Sequence, residues 1–173
     1  MRQLLLLRHA KSAWDDPALS DHARPLNARG RRAIAAMAGA MRGLGLRPEL
    51  VLVSSSRRTL QTLEGLGVLS GPPRIEPMDD LYLAPWPRLL EAVREVPEAV
   101  GSVLLIAHNP GLHDFALNLA GPDAGAPGEA LAAVYPTGAL AEFAIEGPWA
   151  SLDPEAARLV RFLQPNDLPE MAS

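Results

Sequence analysis

Cysteine is absent from the 173 residues. That removes disulfides, thiolate metal sites and every mechanism with a cysteine nucleophile, including the cysteine route to phosphate-ester hydrolysis. Long hydrophobic runs are missing as well. The N-terminus carries one arginine and then four leucines before Arg8, too few for a signal-peptide apolar region or a membrane span. A cytoplasmic protein without membrane association is the expectation. Charge of one sign is scarce: the formal net charge is −4 and the basic residues are spread along the chain. Nothing resembles the clustered positive footprint that binds a nucleic-acid backbone. A small or protein-borne anionic substrate fits better.

What is present is enough apolar residues, 48% of the chain, to bury the core of one domain over residues 1–173. Short apolar runs at Gln3 to Leu7, Leu50 to Val53 and Val103 to Ala107 suit strands buried on both faces of a parallel sheet. Between them the period becomes helical. Ile34, Met37, Ala38 and Met41 follow a candidate N-cap at Asn27 and precede the helix-stopping Gly43 and Gly45. A second helix is expected from Ser56, with Leu60, Leu63 and Leu66 facing inward, and a third around Leu89 to Val96. A fourth is expected with Asn109 as cap, Pro110 first, and Leu112, Phe115, Ala116 and Leu119 inside. Gly121 to Pro136 reads as a connection and candidate lid, with a possible helical turn at Glu129 to Val134. Gly138 to Ile145 and Ala157 to Leu163 read as two closing strands, expected as an antiparallel pair because only a short loop containing Gly147 and Pro148 separates them. Residues 164–173 are expected to fray. No internal repeat is present.

Ligands of open α/β sheets bind beyond the carboxyl ends of the strands. Three such positions carry unusual residues: Arg8 and His9 after the first strand, Ser54 to Arg58 after the second, His108 and Asn109 after the Val103 strand. Two histidines and at least two arginines at one sheet edge describe an anion site containing a nucleophile. Arginine forks match phosphate oxygens bidentately. A neutral imidazole can attack phosphorus when its second ring nitrogen is held by an acceptor, the role expected of His9. Arg8, Arg58 and a protonated His108 would stabilise the charge that spreads over the transferring phosphoryl group. No metal or cofactor is called for. His22 and His113 read as surface residues.

The segment Leu7-Arg8-His9-Ala10-Lys11-Ser12 with Trp14 resembles the opening signature of the histidine phosphatase superfamily, in its SixA-like phosphohistidine phosphatase branch. The resemblance continues through Arg24-Pro25-Leu26 with Arg29-Gly30, Ser54-Ser55 with Arg58-Thr59-Leu60-Gln61-Thr62, Leu81-Tyr82, His108-Asn109-Pro110-Gly111 and Pro136-Thr137. It covers nearly the whole chain. It implies a phosphoglycerate mutase-like fold, a three-layer α/β/α sandwich with a mostly parallel central sheet and antiparallel strands near the C-terminus. It makes His9 the phosphoryl acceptor, with Arg8, Arg58 and His108 forming the phosphate pocket. Arg58, which precedes Thr-Leu-Gln-Thr, is the match rather than its neighbour Arg57. Arg24 and Ser12 are candidate substrate-binding residues. Ala10, where the wider superfamily has glycine, points away from the sugar-phosphate mutases.

The larger superfamily also uses a carboxylic acid after the third strand to protonate the leaving group. Asp80 sits nearest that place, with Asp79 beside it, and both also suit a solvated turn or helix cap. Such an acid matters for an alkoxide and less for phosphohistidine, whose P–N bond is labile. The expected activity is hydrolysis of phosphohistidine on a protein, or of small phosphate monoesters, through phospho-His9. The alternatives are a phosphoglycerate-type mutase and a phospho-ligand binding module without turnover.

Overall fold

A computed structural model describes residues 1–67 and 72–171. Six strands form one sheet: β1 (Arg2–Arg8), β2 (Leu50–Ser54), β3 (Arg74–Met78), β4 (Ser102–Ala107), β5 (Leu140–Ile145) and β6 (Ala157–Leu163). Their spatial order is β3-β2-β4-β1-β5-β6. The first four run parallel, and β5 and β6 continue the sheet antiparallel. β2 and β4 are buried at every position, which is why they read as continuous apolar runs. β3 has no such run because it is an edge strand whose residues are exposed or half-buried. Its Pro77 is tolerable there, where one ladder is missing.

Side chains of a strand alternate between faces, and β1 shows how the two layers of helices are held. Leu4 and Leu6 enter the core shared with helices α3 (Trp86–Arg94), α4 (Gly111–Ala120) and α5 (Gly125–Ala133). Leu5 and Leu7 enter the core on the opposite face, beneath α1 (Ala28–Gly43) and α2 (Arg57–Gly65). The result is the expected α/β/α sandwich. In α1 the predicted Ile34, Met37, Ala38 and Met41 are all buried, and the Asn27 side chain caps the helix by accepting from the Gly30 amide at 2.8 Å.

The structure departs from the expected elements in several places. Helix α2 buries Arg58, Thr59 and Thr62 as well as the leucines expected inside: Leu66, at its end, is fully buried, and Leu60 and Leu63 are half-buried against the α1 core. Its polar face can be buried because the groups on it are paired: Thr59 Oγ1 donates to the Ser54 carbonyl at 2.7 Å, and Thr62 Oγ1 to the Arg58 carbonyl at 2.7 Å. Helix α4 starts one residue late. The Asn109–Pro110 peptide is cis and Pro110 occupies the cap position. Gly111 is needed there, since a Cβ would stand 1.9 Å from the Ala84 carbonyl oxygen. The predicted inner face of α4 is nonetheless correct.

In the segment after Gly121 the helical turn expected at Glu129 to Val134 is the end of a longer helix, α5, which packs on α4 and β6 although only Leu131 of its residues is buried. One buried residue leaves no apolar stripe to recognise. His113 of α4 is half-buried rather than a surface residue, and its Nε2 donates to the Leu131 carbonyl at 2.7 Å. The tail is docked as well. Pro165–Asp167 and Pro169–Met171 form 3₁₀ turns, with Pro165 buried and Leu168 packed into the α1 core. The last two residues of the expected frayed tail lie outside the described residues. Among the described residues no helix is long and apolar enough to cross a membrane.

Candidate active site

Because β2, β4 and β1 are consecutive and parallel, their carboxyl ends lie side by side. A cavity of about 490 Å³ opens at that edge. Arg8, His9, Arg58 and His108 all line it, as do Ser12 and Arg24. The loop from β1 to α1 folds back over this edge. Its two limbs pair through an antiparallel bridge between Ser12 and Leu26, and the Lys11 carbonyl accepts from the Asn27 amide at 3.0 Å. Gly30 makes this closure possible, since a Cβ there would stand 2.1 Å from the Lys11 carbonyl oxygen.

His9 is 7% exposed. Its Nδ1 lies 2.8 Å from the Ala10 carbonyl, which can only accept, so Nδ1 carries the proton and Nε2 holds a free lone pair. Burial lowers the pKa to about 4, and the charges of Arg58, Arg8 and Arg24 act in the same direction. The ring is therefore neutral at neutral pH. The Ala10 amide donates to Thr62 Oγ1 at 2.9 Å, and Thr62 in turn bonds the Arg58 carbonyl. One hydroxyl thus ties the His9 turn to the helix bearing Arg58.

Arg58 is 3% exposed and Arg57 is exposed to solvent, so only the second of the adjacent arginines enters the cavity. An Arg58 Nη donates to His108 Nδ1 at 3.3 Å. His108 Nε2 must then carry the proton, and it faces Ser54 Oγ at 2.8 Å. Burial, followed by the charge of His9 and of Arg58, lowers the His108 pKa to about 3. In the free pocket His108 is therefore neutral, because it is desolvated among other cationic groups. Arg8 is held by the Tyr135 carbonyl at 3.0 Å. Tyr135 is itself buried, with its hydroxyl donating to the Leu6 carbonyl at 2.5 Å.

Asp80 and Asp79 are exposed and do not line the cavity. Asp80 instead accepts from Arg88 Nε of α3 at 3.0 Å. The carboxylate at the cavity is Asp21, which the sequence reading did not select. It accepts from the Tyr82 hydroxyl, from Arg24 at 2.8 Å and from Arg58 at 3.1 Å. Those bonds, Tyr82 first, hold its pKa well below the usual carboxylate range. The one signal that could have found it is the capped turn Ser20-Asp21 placed three residues before Arg24. Arg24 is braced on all sides, donating to the Ala13 carbonyl at 3.0 Å and to Ser12 Oγ, with its guanidinium carbon 3.2 Å from the Trp14 ring centre. Trp14 and Leu83, 78% and 53% exposed, line the mouth. Leu83 has φ +52°, a conformation that costs energy in a residue with a Cβ and clusters at functional sites.

The model of the histidine phosphatase superfamily (branch 1) matches residues 4–82. The phosphohistidine phosphatase SixA of Escherichia coli is 36% identical over 115 residues, 62% of this chain and 68% of that protein. The chain belongs to the histidine phosphatase superfamily. An uncharacterised protein of Mycobacterium tuberculosis is 35% identical over 162 residues, 92% of this chain and 99% of its own. Among solved structures, a candidate SixA of Nakamurella multipartitia superposes with a TM-score of 0.84 at 28% identity, covering 95% of this chain and 96% of that one. A protein histidine phosphatase SixA complexed with tungstate gives 0.77 at 27% identity, covering 95% and 98%. The histidine phosphatase superfamily thus accounts for the sheet order and for the resemblance seen along the sequence.

Proposed function

We propose that the protein is a phosphatase that hydrolyses phosphohistidine or phosphate monoesters through a covalent phospho-His9 intermediate. The observation that carries this reading is the state of His9: buried, neutral, fixed in one tautomer by the Ala10 carbonyl, with Nε2 unprotonated among arginines. Nε2 attacks phosphorus, a P–Nε2 bond forms, and the substrate's P–N or P–O bond breaks with the electron pair leaving on the departing atom, which water protonates. Water then attacks the phosphorus, the P–Nε2 bond breaks, and inorganic phosphate and neutral His9 are restored. Arg8 and Arg58 supply positive charge to the equatorial oxygens throughout. A doubly charged phosphoryl group also favours protonation of His108, reversing the effect of its surroundings in the free pocket.

Among the described residues lining the cavity the single carboxylate is Asp21, and its partners keep it ionised. An ionised group has no proton to give a leaving alkoxide. The reading therefore favours phosphohistidine, whose leaving imidazole needs less help, over alkyl phosphates. The tungstate held by a SixA relative, a tetrahedral oxyanion shaped like phosphate, supports the same substrate chemistry.

A substrate panel tests this directly. Phosphate release from a phosphohistidine-containing protein and from an aryl phosphate is expected to exceed release from an alkyl phosphate. No release from any of them, with phosphate still bound, would leave a binding module. Phosphate transferred to a second hydroxyl of a diol substrate would identify a mutase instead.

A further inference from the structure

A smaller cavity, of about 280 Å³, adjoins the phosphate pocket. The two share Lys11 and Thr137 in their walls. The far wall comes from the docked tail, through Gln164, Pro165 and Asn166, and the near wall from Arg29 at the start of α1. Among the described residues no carboxylate lines it, in a chain where acidic residues outnumber basic ones, 20 to 16. Neither Lys11 nor Arg29 is in an ion pair among the described residues. The side-chain bond Arg29 does make is to the neutral Asn166 Oδ1 at 3.2 Å. That contact fixes the guanidinium without neutralising it. The Lys11 backbone is equally fixed, between the Asn27 amide and the close approach of Gly30.

We propose that this cavity is a second anion subsite, reading a carboxylate or phosphate of the substrate that lies next to the phosphoryl group in the His9 pocket. It deepens the phosphatase reading and rests on it for the placement of the first anion. Lys11 and Arg29, both solvent-exposed and without an ion pair among the described residues, gain most from a ligand carrying a second negative charge beside the first, and the neutral amides of Gln164 and Asn166 and the Thr137 hydroxyl offer it donors without competing charge. The chemistry has two sources: an acidic residue flanking phosphohistidine on a polypeptide, or a second anionic group on a small phosphate ester. The tail takes on a role in this arrangement, since Asn166 is the residue that positions Arg29.

The test uses two pairs of non-hydrolysable probes with the full chain, measured by calorimetry at low ionic strength, so that binding is read apart from turnover. One pair is a peptide with a phosphoryl-triazole mimic of phosphohistidine flanked by glutamates or by alanines. The other is phenylphosphonate with or without a ring carboxylate. The doubly anionic member of at least one pair is expected to bind about tenfold more tightly than its partner. A preference in the peptide pair alone assigns a polypeptide substrate, and one in the phosphonate pair alone a small ester. Arg29→Ala is expected to reduce the preference to less than about twofold and Arg29→Lys to retain part of it. Thermal unfolding of each variant checks that the tail remains docked. Equal binding within both pairs, no binding at all, or a preference that survives Arg29→Ala overturns the subsite. A preference that is intact while the matching phosphates are never hydrolysed removes the phosphatase reading and leaves the subsite standing.

Discussion

The Asp21 carboxylate lies 3.1 Å from the Arg58 guanidinium, and the Asp21 carbonyl accepts from the same guanidinium at 2.7 Å. One residue therefore both orients Arg58 and sets a negative charge beside the place that the proposed reaction gives to the phosphoryl group. The backbone contact survives removal of the charge. Asp21→Asn is expected to tighten inorganic phosphate several-fold, since a like charge at this range opposes the anion, while Arg58 stays in place. Calorimetric titration with phosphate measures it. Weaker binding in the variant would show that the carboxylate chiefly orients the guanidinium.

Burial separates Arg58 from Arg57, and pocket geometry separates Asp21 from Asp80. Arg58→Ala is expected to lower kcat/KM by about 10²- to 10³-fold, the loss typical of a donor to a developing oxyanion. Arg57→Ala and Asp80→Asn should stay within about twofold, because the first side chain is exposed and the second is engaged with Arg88 on the surface. Steady-state kinetics on one aryl phosphate compares all three. A large loss in Asp80→Asn would return that residue to the role of leaving-group acid.

Much of this arrangement was legible in the sequence because strands buried on both faces announce themselves. Arg8, His9, Ser54 and His108 each end or follow such a strand, and adjacency in the sheet brings them together without any long-range information. Asp21 was hidden for the opposite reason. It stands on a single 3₁₀ turn in a loop, where no period marks it, and its significance comes from Tyr82, Arg24 and Arg58 converging on it from separate segments. Of helix α5 only a turn at Glu129 to Val134 was legible, and the docked tail was not, because each buries little beyond Leu131, Pro165 and Leu168, too few positions to set a pattern. In helix α2 the leucine pattern found the side that packs on the α1 core, through Leu60, Leu63 and Leu66, but it could not reveal the second buried face of Arg58, Thr59 and Thr62.

His9 is predicted to carry the phosphoryl group. His9→Ala should lower turnover by about 10³-fold or more and abolish the acid-labile label left on the protein by radioactive substrate. His108→Ala, by contrast, should slow turnover while leaving the label detectable, since His108 Nε2 faces Ser54 and has no free lone pair there. Rapid quench with base-stable, acid-labile counting distinguishes the two. A label that persists in His9→Ala identifies a different acceptor.

Two buried neutral histidines also make stability depend on pH. Their ordinary pKa is 6.5, lowered to about 4 in His9 and about 3 in His108. Below about pH 6.5 the unfolded chain binds protons that the folded chain refuses, so stability is full above that pH and falls as the pH drops towards 4. The limiting slope is about 1.4 kcal/mol per pH unit for each histidine, and the mutual repulsion that contributes to the His108 shift keeps the pair from adding fully. Denaturant midpoints measured across this range should therefore decline with acid. Saturating inorganic phosphate should flatten the decline, because its charge favours the imidazolium that the free pocket disfavours. His108→Asn should reduce the slope and His9→Asn should do the same. A stability independent of pH between about 4 and 6.5, or an unchanged slope in both variants, would mean that these imidazoles are solvated and that the tautomer assigned to His9 does not hold.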